Sequence, residues 1–141
     1  MERFVCRDLL DWGLDPRAAE ADPRVLLLTV PSGELVGVAA HEHAALLAPG
    51  GQRIEATKLQ VVALSLHWQG RSFESGPRAS DVLMSAAMTD IGTRRPPRAA
   101  RVFAVVHREN TRSLAVLRRF GLTEEMSDAT PPYRRVITPA C

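Results

Sequence analysis

The spacing of apolar residues changes along the chain, and each change predicts a different structural element. Near the start, apolar residues recur at helical spacing and predict a helical segment within residues 1–23. Residues 24–30 and 35–40 are rich in strand-forming residues, and residues 31–34, Pro-Ser-Gly-Glu, have the composition of a turn. These two strands are therefore expected to form a β-hairpin.

The next segment predicts a third, longer strand. Residues 48–51, Ala-Pro-Gly-Gly, indicate a second chain reversal. Residues 54–66 follow and end in the apolar run Val-Val-Ala-Leu-Ser-Leu. Because short connections join the three strands in sequence, an antiparallel arrangement is favoured.

Beyond this strand, helices and strands alternate. Residues 82–91 carry apolar side chains at helical spacing, with Ser80 or Asp81 as the expected N-cap and Gly92 as the expected left-handed stop. Residues 102–106 form a continuous apolar run, which is typical of a strand covered on both faces. A strand, a helix and a second strand in this order pair the two strands in parallel.

A second helix and two short strands complete the pattern. Asn110 is the expected N-cap of this helix and Gly121 its stop. Its apolar face carries Leu114, Leu117 and Phe120. Residues 122–126 and 133–138 predict the last two strands. The expected fold is α/β (α+β): a mixed, mostly antiparallel sheet of about six strands, flanked by helices, with a central parallel pair.

Length and composition indicate one domain, residues 1–141, because 45% of the residues are hydrophobic. The apolar segments are far shorter than the roughly 20 residues of a membrane span, and charged residues closely follow the first methionine, so a cytoplasmic protein is expected. The two cysteines, Cys6 and Cys141, do not have the number or spacing of a disulfide framework. They are expected to be reduced.

Arginine supplies nearly all the positive charge, since Lys58 is the only lysine and the net charge is +2. This balance creates no strong field for nucleic acid, and the arginines within residues 94–101 are interpreted as a solvated connector. Arginine does suit bidentate contacts with phosphate. The predicted phosphate site lies within residues 58–91, where a buried strand leads into the start of a helix, because the first amides of a helix have no internal partners.

The segment 105–122 has the most specific pattern in the chain. It contains an apolar strand, Asn110, the small residue Ser113 three positions later, an apolar helix face and, at the end of the helix, an aromatic residue followed by glycine. This pattern, with the order of elements over residues 25–137, resembles the GNAT superfamily, the Gcn5-related N-acetyltransferases. The resemblance implies that residues 24–138 form an acetyl-CoA-binding core in which Asn110 and Ser113 line the pantetheine arm of the cosubstrate.

A second GNAT signature, Q/R-x-x-G-x-G/A, holds the pyrophosphate with main-chain amides, and residues 69–74 match it in part. Ser72 and Glu74 replace its two later glycines, which would permit positive φ and close approach of the backbone. A longer loop containing Gly76 is expected to restore this approach. The resemblance assigns cofactor contacts to Gln69, Gly70, Arg71, Ser72 and Arg78.

Acetyl transfer also needs donors for the developing oxyanion, a base for the amine and an acid for the leaving thiolate. The resemblance assigns the donors to main-chain amides at Leu64, Ser65 and Leu66. The candidate bases are Glu55 and His41. His43 follows His41 by two positions, at the end of the preceding strand. Because the family's usual tyrosine acid corresponds to Leu117, the sole tyrosine, Tyr133, is the candidate acid.

Several candidates also have an explanation without chemistry. Glu55 fits a solvated strand residue, and His41 and His43 fit surface positions, because two imidazoles without a third ligand do not make a metal site. No metal is predicted. Asn110 would cap its helix without any ligand, and Trp68 would pack at a strand end.

The sequence thus predicts an N-acetyltransferase that transfers the acetyl group of acetyl-CoA to a primary amine of a small molecule or protein. Two alternatives stay open. The first is a catalytically weak or inactive GNAT-fold module that binds a CoA-type ligand or a protein partner, motivated by the altered glycine loop and by Leu117. The second is an arginine-mediated RNA-binding or regulatory domain. Exposed edge strands are also compatible with a homodimer.

Overall fold

The structure is a computed structural model that describes residues 22–47, 50–51, 53–93, 101–124 and 133–138. The helical segment predicted at the start of the chain lies outside the described residues, apart from its last two positions. The described residues form strands and helices that we number in chain order. They are β1 (Arg24–Thr29), β2 (Leu35–Leu47), β3 (Arg53–Leu64), α1 (Ala79–Gly92), β4 (Val102–His107), α2 (Thr111–Arg119), β5 (Thr123–Glu124) and β6 (Tyr133–Ile137).

The strands form one six-stranded sheet in the order β1-β2-β3-β4-β6-β5. Every neighbouring pair is antiparallel except β3 and β4, which are parallel. The predicted mixed sheet with a central parallel pair is therefore confirmed. No helix in the described part of the chain is long and apolar enough to cross a membrane.

Both helices cover the same face of the sheet and form the main core. Leu83 and Met84 of α1 and Leu114 and Leu117 of α2 are buried there against strand residues such as Leu59. A second, smaller cluster lies on the opposite face. It contains Ala56, Phe103 and Ile137, with Ala44 packed against them. Burial of these side chains supplies the main driving force for the fold.

The predicted ends of α2 are correct. The Oδ1 atom of Asn110 accepts a hydrogen bond from the amide of Ser113 at 3.2 Å, so Asn110 is the N-cap. Gly121 follows the helix with φ of +88°, a conformation that glycine adopts without strain.

The predicted ends of α1 are wrong. Its N-cap is Arg78, which makes no side-chain capping bond, and Ser80 and Asp81 lie inside the helix. Gly92 is the last helical residue and does not have positive φ. The helix ends instead at Thr93, whose amide and hydroxyl both donate to the main-chain oxygen of Asp90.

Candidate active site

The parallel strands β3 and β4 pair only where they begin. Their register contains Thr57 opposite Val102 and Lys58 opposite Phe103, and the amide of Thr57 donates to the carbonyl of Arg101 at 3.0 Å. Beyond these pairs the described residues show no further pairing between the two strands. Residues 59–64 of β3 and 104–107 of β4 therefore lie in neighbouring strands without ladder pairing, and we call this unpaired region the β3–β4 crevice.

A β-bulge in β3 explains why the strands separate there. Ala40 of β2 pairs with Val61, whereas the next residue, His41, pairs with Leu59, so Gln60 is an extra residue on β3. A bulge bends its strand and increases the local twist. Because Gln60 comes two residues after the last pairing with β4, it turns the rest of β3 away from β4. The side chain of Gln60 also donates to Glu42 of β2 at 2.6 Å.

The main-chain amides at the end of β3 point alternately towards β2 and towards the crevice. The amide of Ser65 donates to the carbonyl of Val36 at 2.9 Å and so faces β2, not the crevice. Alternation along an antiparallel pair then turns the amides of Leu64 and Val62 towards the crevice. Leu66 begins a single 3-10 turn that extends to Trp68. Of the three predicted oxyanion donors, Leu64 is thus the one that its strand aims into the crevice.

The segment between β3 and α1 is a small hairpin. Ser72 and Arg78 form an isolated antiparallel bridge, and the amide of Ala79 donates to the carbonyl of Arg71 at 3.0 Å. These contacts place Arg71 and Arg78 on the two arms of the hairpin at its base, directly before the first turn of α1. Gly76 has φ of +110°, which closes the tip. The altered signature thus forms a longer loop whose base is positively charged.

Aromatic side chains attach this hairpin to the end of β3. The ring of Trp68 lies 5.0 Å from that of Phe73 and 5.8 Å from that of His67, measured between centroids. Trp68 thus packs at a strand end, as the sequence predicts. Its Nε1 atom and the Oγ atom of Ser65 are buried and have no hydrogen-bond partner within the part of the chain that the structure describes. Since buried polar groups are normally paired, these two atoms mark the end of β3 as a place for a polar ligand.

The other side of the crevice ends at the start of α2. His107 is the last residue of β4, and Asn110 caps α2 three positions later. Because Oδ1 of Asn110 is engaged with the Ser113 amide, the capping explanation for Asn110 holds. Contacts of Asn110 and Ser113 with a pantetheine arm stay a prediction. Their position at the open end of the crevice is compatible with it.

The structure does not bring the two candidate bases to the open end of the crevice. Glu55 precedes the residues of β3 that pair with β4, and the nine residue steps from Glu55 to Leu64 correspond to roughly 30 Å at about 3.3 Å per residue. Its carboxylate forms an ion pair with Arg53, at 3.6 Å between Nε and Oε1. His41 is fully buried, not on the surface, and its Nε2 atom lies 2.7 Å from Oδ2 of Asp90 on α1. His41 therefore stabilises the packing of α1 on the sheet.

Tyr133, by contrast, lies at the open end. It is paired with His107 in the register of β4 and β6, and the two rings form an edge-to-face contact with centroids 5.4 Å apart. The sequence interpretation missed His107. The signal was present, because His107 is the polar residue that ends the apolar run of β4 and precedes Asn110 by three positions. Among the described residues, no group of three His, Cys, Asp or Glu side chains is arranged to hold a metal ion.

Comparison with known proteins supports the fold. An acetyltransferase from Thermus thermophilus superposes on 96% of this chain and 72% of its own, with a TM-score of 0.62 and 21% sequence identity. The PaiA N-acetyltransferase from Thermoplasma acidophilum, in complex with coenzyme A, covers 97% of this chain and 72% of its own, with a TM-score of 0.63 and 12% identity. NAA60 from Arabidopsis thaliana, in complex with a bisubstrate analogue, covers 83% and 76%, with a TM-score of 0.57 and 9% identity.

These likenesses are structural. No protein-family model matches the chain, and no curated protein matches its sequence significantly. The six-stranded mixed sheet with one parallel pair among the described strands, and the similarity to solved acetyltransferases, show that the protein has the GNAT fold.

Proposed function

We propose that this protein transfers the acetyl group of acetyl-CoA to a primary amine in a ternary complex. The observation that carries the proposal is the β3–β4 crevice, in which β3 turns away from β4 and leaves main-chain groups unpaired. A thioester in this crevice would place its carbonyl oxygen within reach of the Leu64 amide. A donor fixed in position before the reaction stabilises the oxyanion without further reorganisation.

The reaction exchanges one bond at the thioester carbonyl carbon. The neutral amine attacks this carbon, a C–N bond forms, and the C–S bond breaks. The nitrogen loses one proton and the sulfur leaves as a thiolate, which takes up one proton. Tyr133, at the open end of the crevice, is the proposed donor of that second proton.

The hairpin before α1 is the proposed site for the CoA diphosphate. Arg71 and Arg78 lie at its base, and a guanidinium group binds phosphate oxygens in a bidentate manner. The first turn of α1 follows at once and adds the positive end of the helix dipole. Glu74, which replaces the last glycine of the partly matched signature, lies in the exposed tip of the hairpin and not at its base.

Two measurements test the proposal. Isothermal titration calorimetry with acetyl-CoA should show saturable binding to one site. Release of free CoA thiol should then be followed over a panel of primary amines, with acetyl-CoA hydrolysis without amine as the blank. Absence of binding at about 1 mM acetyl-CoA, which corresponds to a binding free energy weaker than about −4 kcal/mol, would rule the proposal out.

A catalytically silent module that binds a CoA-type ligand is the second candidate. It is favoured by the positions of Glu55 and His41 away from the open end of the crevice, and by Leu117, which is buried in the core at the position of the expected tyrosine. Binding of acetyl-CoA without thiol release for any amine would support this candidate over the first. For either candidate we propose a cytoplasmic location, where acetyl-CoA is available.

A further inference from the structure

His107 is held in one tautomer by the backbone that follows it. The amide of Glu109 donates a hydrogen bond to Nδ1 of His107 at 3.2 Å. An atom that accepts this bond carries a lone pair, so the proton of the neutral imidazole is on Nε2. Nε2 has no hydrogen-bond partner among the residues that the structure describes. The imidazole therefore presents one N–H donor and no free acceptor.

The imidazole of His107 lies on the face of the sheet opposite the two helices. Alternate residues of β4, Val102, Ala104 and Val106, are buried in the helix-side core. His107 and Val105 therefore project from the other face, because successive side chains of a strand alternate. Val105 is 45% exposed there, and Tyr133, which contacts His107, is 51% exposed. This set of side chains forms an accessible patch beside the open end of the crevice.

The patch combines a fixed donor with an apolar surface and positive charge. Arg135 is opposite Val105 in the register of β4 and β6, so it lies on the same face. Arg108 is exposed in the turn directly after His107. In an acceptor that carries a carbonyl or carboxylate group on the carbon that bears its amine, an oxygen of this group is suited to accept the hydrogen bond from Nε2.

We propose that His107 is a specificity-determining residue for the acceptor: it donates a hydrogen bond from Nε2 to an oxygen of the carbonyl or carboxylate group on the carbon that bears the attacking amine. The acceptor class is thus an α-amino amide or α-amino acid, including a peptide N-terminus. The inference rests on the proposed acetyl transfer. It assigns His107 to substrate recognition and not to proton removal, since its free nitrogen already carries a proton.

The first test needs no substrate. Correlation spectra of the 15N-labelled imidazole groups, assigned by comparison with a His107→Gln variant, should show the proton of the neutral His107 ring on Nε2. A proton on Nδ1 would overturn the inference.

The second test uses two probe amines that differ in one group. Leucinamide carries a carboxamide on the carbon that bears its amine. 3-Methylbutan-1-amine has the same side chain but lacks this carboxamide. Because the two amines differ in basicity, the readout is the change in their kcat/KM ratio between wild type and variant. His107→Leu should lower the preference for leucinamide roughly tenfold, mainly through KM, the size expected for one lost hydrogen bond.

Two further variants distinguish hydrogen-bond donation by His107 from other roles of this residue. His107→Gln keeps an N–H donor near the Nε2 position and should retain the preference within about threefold. Tyr133→Phe keeps the ring contact and should retain the preference even where turnover falls. If His107→Gln loses as much activity as His107→Leu and also loses the acidic limb of the pH–rate profile, His107 is a base and the inference is wrong.

The outcomes also separate the inference from the proposed function. Unchanged calorimetric binding of acetyl-CoA by the His107 variants shows that their fold and cofactor site are intact. If all variants transfer the acetyl group with an unchanged kcat/KM ratio for the two amines, the inference about His107 is wrong and the proposed function is unaffected. Binding of acetyl-CoA by wild type with no transfer to either amine overturns the acceptor class. No binding of acetyl-CoA by wild type overturns the proposed function, and the inference with it.

Discussion

The Nε2 atom of His41 lies 2.7 Å from Oδ2 of Asp90, and this contact joins the middle of β2 to the last turn of α1. His41 is fully buried, and Arg24 of β1 approaches the same carboxylate oxygen at 3.7 Å. Asp90→Ala removes this partner from a buried imidazole. We expect the free energy of unfolding, measured by urea denaturation, to fall by about 1–3 kcal/mol.

An exposed ion pair is the control for this prediction. Glu124 and Arg118 are 2.6 Å apart, but their side chains are 36% and 57% exposed. Glu124→Ala should lower the free energy of unfolding by less than about 1 kcal/mol, because solvent screens the pair. Equal losses in Asp90→Ala and Glu124→Ala would show that the buried contact contributes no more than a surface pair.

Gly37 is required where β2, β3 and α1 meet. A Cβ atom there would lie 2.7 Å from the carbonyl oxygen of Ala63 and 3.0 Å from Cδ2 of Leu83. The backbone oxygen cannot move without disturbing the β2–β3 ladder. Gly37→Ala should therefore destabilise the fold by about 1–3 kcal/mol, as overpacked cores do. Thermal unfolding followed by circular dichroism would measure the effect.

Gly92→Ala is the matched glycine variant with the opposite expected sign. No atom lies within 4 Å of a Cβ built on Gly92, which is helical and does not have positive φ. Alanine has a higher helix propensity than glycine, so the variant should gain up to about 1 kcal/mol. A loss of stability in Gly92→Ala would mean that α1 ends before this residue.

The sequence predicted those parts of the fold that depend on local spacing. The hairpin of β1 and β2, the apolar run of β4 and the capped helix α2 each follow from residues that are close in sequence. The Asn110 cap and the Gly121 stop are examples, because each acts within its own helix turn. The parallel pair follows from the order of a strand, a helix and a strand.

Features that depend on pairing between distant residues were not predicted. The extra residue Gln60 appears only when β3 is aligned with β2, and the contact of His41 with Asp90 appears only when α1 packs on the sheet. The start of α1 is set by the contact of Ala79 with Arg71 across a small hairpin, so capping rules pointed to the wrong residues. His107 accepts a hydrogen bond from the Glu109 amide, a contact that no residue pattern shows.

Loss of an arginine at the base of the hairpin should weaken CoA binding. Arg71→Ala or Arg78→Ala removes a guanidinium group from the proposed diphosphate site. Each variant should raise the dissociation constant of acetyl-CoA roughly tenfold, the effect of one or two charged hydrogen bonds. Calorimetry at two salt concentrations should also show a weaker salt dependence than in wild type, because fewer ionic contacts remain.

The ligand itself supplies the control for the arginine variants. Acetyl-pantetheine has the thioester and the pantetheine arm but no diphosphate. Its affinity should be equal, within about twofold, in wild type and in Arg71→Ala, since the missing contact is to phosphate. A similar loss of affinity for both ligands would place Arg71 outside the diphosphate site and indicate a general disturbance of the hairpin.

Deletion of Gln60 tests whether the bulge opens the crevice. Without this residue, Leu59 and Val61 become neighbours and pair with His41 and Ala40 in a regular ladder, and every later side chain keeps its face. β3 then runs straight beside β4, and the parallel pairing extends beyond Lys58. We expect a folded protein that binds acetyl-CoA at least roughly tenfold more weakly, because the main-chain groups of the crevice pair with one another.

The point variant Gln60→Ala separates the bulge from the side chain. It keeps the extra residue and loses only the contact with Glu42, so acetyl-CoA binding should stay within about twofold of wild type. Calorimetry measures both variants, and circular dichroism confirms that each retains its sheet. If the deletion variant is folded and binds acetyl-CoA as wild type does, the separation of β3 from β4 does not create the cofactor site. The hairpin before α1 alone would then have to account for the binding of acetyl-CoA.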